Sequence, residues 1–282
     1  IDDANSIEAY GIRAALLIEP TDRFSVKLSV NKEISNPADS SLTNPNLGKF
    51  VRRTDQPDLF QSDLLAINAT VNADFGFAEL VSSSTYSDLT GDFIVDLAGT
   101  YNQLVPFSLD AVGADDIFVQ EVRLTSSHPG PIEWIIGGFY FDKRRNVDFD
   151  YRTTQAFLNQ TNTTQFTDLY YQRFKNYTDI SEKAVFGELT YRFSDSFWVT
   201  GGLRYGEVEV QTTTGGGGYN SNFLTRGYCT VFTAQCLGFI PALAITSIQP
   251  STGLLAKDDK LSWKASVSFK PNANLTTYAT VS

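Results

Sequence analysis

Residues 10–31 read YGIRAALLIEPTDRFSVKLSVN, and the fold turns on how their apolar positions are spaced. Tyr10, Ile12, Ala14, Leu16 and Ile18 fall on one parity, with Gly11, Arg13 and Glu19 on the other. After Pro20-Thr21-Asp22-Arg23 the rule resumes, with Phe24, Val26, Leu28 and Val30 alternating with Ser25, Lys27, Ser29 and Asn31. Successive side chains of a strand point to opposite faces, so a period of two gives each run an oily side and a wet side. Two such runs around a turn-forming tetrad predict a hairpin.

The same period recurs outward from that hairpin. Leu65, Ile67, Ala69 and Val71 alternate with Ala66, Asn68 and Thr70. A strand over about 77–86 is blurred by Ser82, Ser83 and Ser84, whereas 118–125 sets Glu121 and Arg123 against Val122 and Leu124. Residues 132–141 are apolar on both parities. Further on, Val185, Gly187, Leu189, Tyr191 and Phe193 oppose Glu188, Thr190 and Arg192. Phe197, Val199, Gly201, Leu203 and Tyr205 oppose Thr200, Gly202 and Arg204, and Leu261, Trp263, Ala265, Val267 and Phe269 oppose Ser262, Lys264, Ser266 and Ser268. This predicts about ten strands, each near the roughly 9–11 residues that a bilayer-spanning strand needs.

Short turns at 20–23, 72–76, 126–131, 194–196 and 271–274 alternate with long polar stretches at 31–57, 87–115, 142–182 and 211–259. Tight turns at one end and long loops at the other are the asymmetry of a transmembrane barrel, while a soluble sandwich has no reason to gather its long loops at one end. Arg13, Lys27, Glu121, Arg123, Glu188, Arg192, Arg204 and Lys264 all fall on the polar parity of their strands. A Lys or Arg facing lipid at mid-bilayer costs about 2–4 kcal/mol, so these eight positions are expected to line a wet interior. Phe24, Phe75, Phe77, Trp134, Phe193, Phe197 and Phe269 gather beside the short turns, where an interfacial girdle would lie.

Composition narrows the class. The chain has 282 residues, 42% of them hydrophobic and only 19% charged; typical domains are near 45–50% and about 25%. A net charge of −10 argues against nucleic acid, which requires clustered cations, and the densest basic patch, Lys143-Arg144-Arg145, is short and reads as a solvated loop. The longest apolar run, 239–245, is broken by Pro241 and is far short of a membrane-spanning helix. No secretory leader opens the chain, and a barrel exported across the inner membrane needs one, so a segment before Ile1 is expected.

Several stretches resemble the barrel of TonB-dependent outer-membrane receptors. They are Pro20-Thr21-Asp22-Arg23 between alternating strands, residues 118–124 (FVQEVRL), 134–140 (WIIGGFY), 186–191 (FGELTY), 201–205 (GGLRY), and 261–282 with Lys270-Pro271 at its turn. The resemblance implies an antiparallel barrel of 22 strands closed by an N-terminal plug, a size known for plugged transporters. About ten strands with no plug-like segment then read as an interior part of that barrel. It also implies uptake of a scarce small molecule, most often a ferric siderophore. The implied partners are outer-membrane lipid and, through a preceding N-terminal region, the TonB energy-coupling complex. No enzyme activity, resident cofactor or nucleic-acid partner is expected. Two other readings stay open from the residues themselves: a passive porin or smaller closed barrel, and a secreted β-rich binding or adhesion protein.

Other features carry less. Gly215 to Gly218 lack the Gly-Lys-Ser/Thr of a phosphate loop. His128, in Ser-Ser-His-Pro-Gly-Pro, sits in a turn with no oriented nucleophile, and with no Met it leaves no soft-metal site. The pairs Asp115-Asp116 and Asp258-Asp259 read as solvated charge, and the Asn-X-Thr triplets at 159, 162 and 176 mean little in a bacterial outer-membrane chain. Cys229 and Cys236 are a candidate loop disulfide. In 142–182, Tyr151, Phe166, Tyr170, Tyr171 and Tyr177 lie among Asn, Gln and Thr, which makes them candidate ligand contacts on a loop, with loop-on-loop packing the competing role.

Overall fold

A computed structural model describes residues 6–40, 42–54, 57–97, 107–127, 130–153, 170–218, 249–250 and 253–282. Its strands are β1 (Ile7–Thr21), β2 (Phe24–Pro37), β3 (Leu59–Asp74), β4 (Ala78–Asp96), β5 (Phe107–Ser126), β6 (Ile132–Thr153), β7 (Tyr170–Ser194), β8 (Phe197–Gly218), the two-residue β9 (Gln249–Pro250), β10 (Leu254–Asn272) and β11 (Leu275–Val281). They form one sheet in chain order from β1 to β8, then β10 and β11, with β9 added beside β8. Neighbouring strands are antiparallel throughout.

The register is continuous through the middle of the sheet, so its rows define the two faces. One row runs Ile18, Val26, Val71, Ser82, Val122, Gly138, Val185, Tyr205, Leu261. The adjacent face carries Ala15, Ser29, Asn68, Thr85, Val119, Phe141, Glu182, Val208, Asp258. Because a one-residue slip would exchange the faces, the alternation read in each strand fixes its pairing. The serine run resolves the same way. Ser83 joins Asn68 and Thr70 on the polar face, while Ser82 and Ser84 lie opposite and are tied to the amide of Gln120.

No second layer covers the sheet among the described residues. Only Ala78, Ala111, Val147 and Ala184 are buried apolar residues there, while Ile12, Val185 and Leu203 are 68%, 63% and 59% exposed. An apolar face left open on this scale would be unstable in water.

The strands break at the expected tight turns after β1, β3, β7 and β10, while part of the turn expected at 126–131 lies outside the described residues. The turn after β3 needs glycine, because Gly76 takes φ +85° while its N–H donates to the Asp74 carboxylate at 2.6 Å. At the other end, strands extend well into stretches read as loops: β4 to Asp96, β6 to Thr153 and β8 to Gly218. Lys143, Arg144 and Arg145 therefore belong to β6 rather than to a solvated loop. There Lys143 and Arg145 meet Asp115 at 3.1 and 3.7 Å. The oily alternation stops where the apolar surround would stop, but the backbone ladder goes on.

Candidate functional site

The polar face comes first, since it gathers the charged residues. The register places Arg13, Lys27, Glu121, Arg123, Glu188, Arg192, Arg204 and Lys264 on one and the same face. They are not equivalent. Lys264 lays its stem over Gly202, 3.1 Å from where a Cβ would stand, and its ammonium reaches Glu188 in the same row. Arg204 donates to Glu182 at 2.6 Å and covers the Phe139 ring at 5.5 Å. Arg192 makes a two-point contact with Glu133 at 2.5 and 3.2 Å and stacks over Trp198 at 4.8 Å. Arg13, Lys27, Glu121 and Arg123 make no ion pair among the described residues. Planar Arg forks on carboxylates and rings stiffen this face, while the uncommitted charges keep it polar.

The apolar face has two aromatic borders. The turn-side border expected from the sequence includes Phe193, 4.7 Å from Tyr191 and 5.4 Å from Phe197, and Phe75 beside Phe77 at 6.3 Å. A loop-side border, which the sequence reading missed, holds Tyr10, Tyr86, Phe118, Tyr140 and Tyr205 on this face. Its tyrosines donate toward carboxylates nearer the loops: Tyr86 to Asp116 at 3.0 Å, Tyr205 to Asp259 at 3.3 Å and Tyr140 to Asp142 at 3.4 Å. The signal was present as a Tyr or Phe at the last apolar position of each run, with an acid two places on or across the ladder. An aromatic ring with a polar tip suits a boundary between oil and water.

At the loop end of the polar face, Phe60, Phe93, Ala111 and Phe149 occupy one row. Phe60 stacks on Phe93 at 6.1 Å, and Phe93 meets Phe149 edge-on at 6.4 Å across the buried Ala111. Nearer the loops, Arg52 reaches Asp39 at 2.8 Å and pairs with the fully buried Asp58. Asp58 also accepts from the Asp96 N–H at 2.7 Å, tying it to the end of β4. Phe93 and Phe149 fall inside stretches read as loops, so no periodicity pointed to them.

The candidate ligand contacts are separated by the structure. Tyr151 is in β6 and Tyr177 in β7, not on a loop, and they face opposite ways: Tyr151 pairs with Gln172 on the polar side and Tyr177 with Asn146 on the other. Strands continuing past the oily band turned a presumed loop into a hairpin. Burial raises the Tyr151 phenol above its ordinary value. Tyr170 starts β7, and Tyr171 follows it in that strand. Phe166, Cys229, Cys236 and His128 lie outside the described residues.

Residues 14–282 match the family described as TonB dependent receptor-like, beta-barrel. The ferric yersiniabactin uptake receptor FyuA from Yersinia pestis is similar with a TM-score of 0.70 at 11% identity, over 97% of this chain and 37% of that one. The open form of the ferric-catecholate import receptor Fiu from E. coli K12 gives 0.64 at 12%, over 99% and 47%. The copper transporter OprC gives 0.59 at 12%, over 97% and 36%. At these identities the likeness concerns the fold, and the chain spans less than half the length of each structure. No curated protein matches it in sequence.

Proposed function

Because the chain belongs to the TonB-dependent receptor β-barrel family, we propose that it is part of the wall of a bacterial outer-membrane receptor that imports a ferric siderophore. One observation supports this above the others. A single register puts a bordered apolar band on one face and all eight predicted charges on the other. Such a sheet separates bilayer from a water-filled bore. The bilayer satisfies the apolar face, and backbone groups are satisfied by the ladder. Two relatives in fold are described as ferric-chelate receptors, which favours iron as the cargo.

In this reading the ligand meets the loop end of the bore, where Phe60, Phe93 and Phe149 offer ring faces above the charged rows. The pairs of Arg52 with Asp39 and Asp58 beside them hold that rim in shape. No bond is made or broken, so the work is transport, and its energy comes through the TonB complex acting on an N-terminal region.

Growth under iron limitation tests this. Deleting the gene is expected to abolish growth on one class of ferric siderophore while iron-replete growth stays normal, and inactivating TonB should have the same effect. Uptake that survives loss of TonB, with steady conductance in planar bilayers, would replace this reading with a passive pore.

A further inference from the structure

Residues 44–51, in the connection between β2 and β3 at the loop end of the sheet, close on themselves. The Asn44 N–H donates to the Val51 carbonyl at 2.8 Å, and the Leu47 N–H to the Asn44 carbonyl at 3.0 Å, around a single 3-10 turn at Pro45–Leu47. The chain leaves that turn through two positive φ angles, +126° at Gly48 and +60° at Phe50. Glycine takes such angles without a steric penalty, so Gly48 suits its place. Phe50 does not. It is the one non-glycine residue with positive φ among those described, and a bulky side chain is strained there.

Packing does not account for the phenylalanine either. Phe50 is 80% exposed, and the partner of its ring is the neighbouring Lys49, whose ammonium stands 5.0 Å from the ring centre. A glycine at this position would relax the backbone and give up no buried contact. A strained residue that the fold itself does not use points to a binding role.

The surrounding charge indicates for what. Residues 42–53 carry Lys49, Arg52 and Arg53 and no Asp or Glu, in a chain of net charge −10. Arg52 is taken by Asp39 and Asp58. Lys49 is exposed and makes no ion pair among the described residues. An exposed cation beside an exposed ring attracts an anion that also offers a flat surface. The cation draws electron density from the ring, which favours stacking on an electron-rich partner. Deprotonated catechol and phenol rings, which hold ferric iron through their oxygens, are both electron-rich and anionic. Ring and ammonium are already set out before any ligand arrives, which lowers the cost of ordering them.

We propose that Phe50 and Lys49 form a capture site for an anionic ferric chelate that carries aryl rings: one aryl ring lies on Phe50, and the negative charge of the chelate faces Lys49. The site names the class of cargo for the ferric-siderophore reading above and rests on that reading.

The test titrates the full-length receptor, purified in mild detergent, with the ferric complexes of catechol, citrate and tropolone, and follows intrinsic tryptophan fluorescence. These supply charge with rings, charge alone and rings alone. The wild type is expected to bind the catechol complex about tenfold more tightly than either of the others. Phe50→Gly should weaken that binding about tenfold without lowering the thermal midpoint, because it removes strain and no buried contact. Lys49→Gln should weaken the catechol complex to a similar extent, remove most of the salt dependence of its binding, and leave the tropolone complex unaffected. Equal wild-type affinity for the three complexes, or unchanged binding by Phe50→Gly, overturns the capture site alone. A lowered thermal midpoint in Phe50→Gly also overturns it, by giving the ring a packing role. A wild type that binds none of the three overturns the ferric-siderophore reading on which the site stands.

Discussion

Gly137 and Gly138 are neighbours in β6 and face opposite ways. On the polar side, a Cβ at Gly137 would press into the Phe186 ring and stand 2.8 Å from the Val122 carbonyl oxygen. On the apolar side, a Cβ at Gly138 would meet only the Ala184 carbonyl at 3.8 Å. The polar face is packed against itself, strand to strand, with rings over glycines and Arg forks over rings. The apolar face leaves its side chains standing, with no second layer over them among the described residues.

Replacing single residues on the two faces breaks that comparison most sharply with a charge. Leu203→Arg puts a cation in the middle of the apolar band, on the strand where Arg204 already faces the other way. It should lower stability in lipid vesicles by about 2–4 kcal/mol. Thr200→Lys, on the polar face beside Thr190 and Ser266, should change it by less than about 0.5 kcal/mol. Urea titration of vesicle-folded protein measures both, and equal effects would mean the faces are not what separates oil from water.

The two glycines give the next largest contrast. Gly137→Ala is expected to destabilise by about 1–3 kcal/mol, as overpacking against backbone does. Gly138→Ala should be within about 0.5 kcal/mol of the wild type, in the same titration. A third comparison concerns the polar face alone. Arg192→Ala removes a two-point contact to Glu133 and a stack on Trp198. Both charged partners are more than a third exposed, so screening limits the loss to about 1 kcal/mol. Lys27→Ala, a charge with no ion pair among the described residues, should be close to neutral.

These contrasts follow how much of the molecule was legible. Period-two alternation assigns a face to every residue between Tyr10 and Ile18 or between Phe197 and Tyr205, because an error of one position would bury charge in oil. The charges and the tight turns could be read for the same reason. What could not be read lies where that constraint ends. Beyond the apolar band both faces are wet, so nothing in the sequence distinguishes a continuing hairpin from a loop, and Tyr151 and Tyr177 were grouped although β6 and β7 turn them apart. The row of Phe60, Phe93 and Phe149 depends on four strands, β3 to β6, meeting in register, a non-local fact with no local signature.

The smallest effect sharpens the comparison at its boundary. Tyr86→Phe and Tyr205→Phe each keep the ring on the apolar face and remove only the hydroxyl that donates to Asp116 or Asp259. These hydrogen bonds are exposed, so each should contribute about 0.5 kcal/mol in vesicles. Tyr→Ala at the same positions also removes the ring and should cost clearly more. If the loop-side border sits at head-group depth, the hydroxyl loss should shrink further in detergent micelles, where no ordered boundary holds the tip in place, whereas the ring loss should persist. If the two variants behave alike in both media, these tyrosines are ordinary members of the apolar face, and the band has no fixed edge on that side.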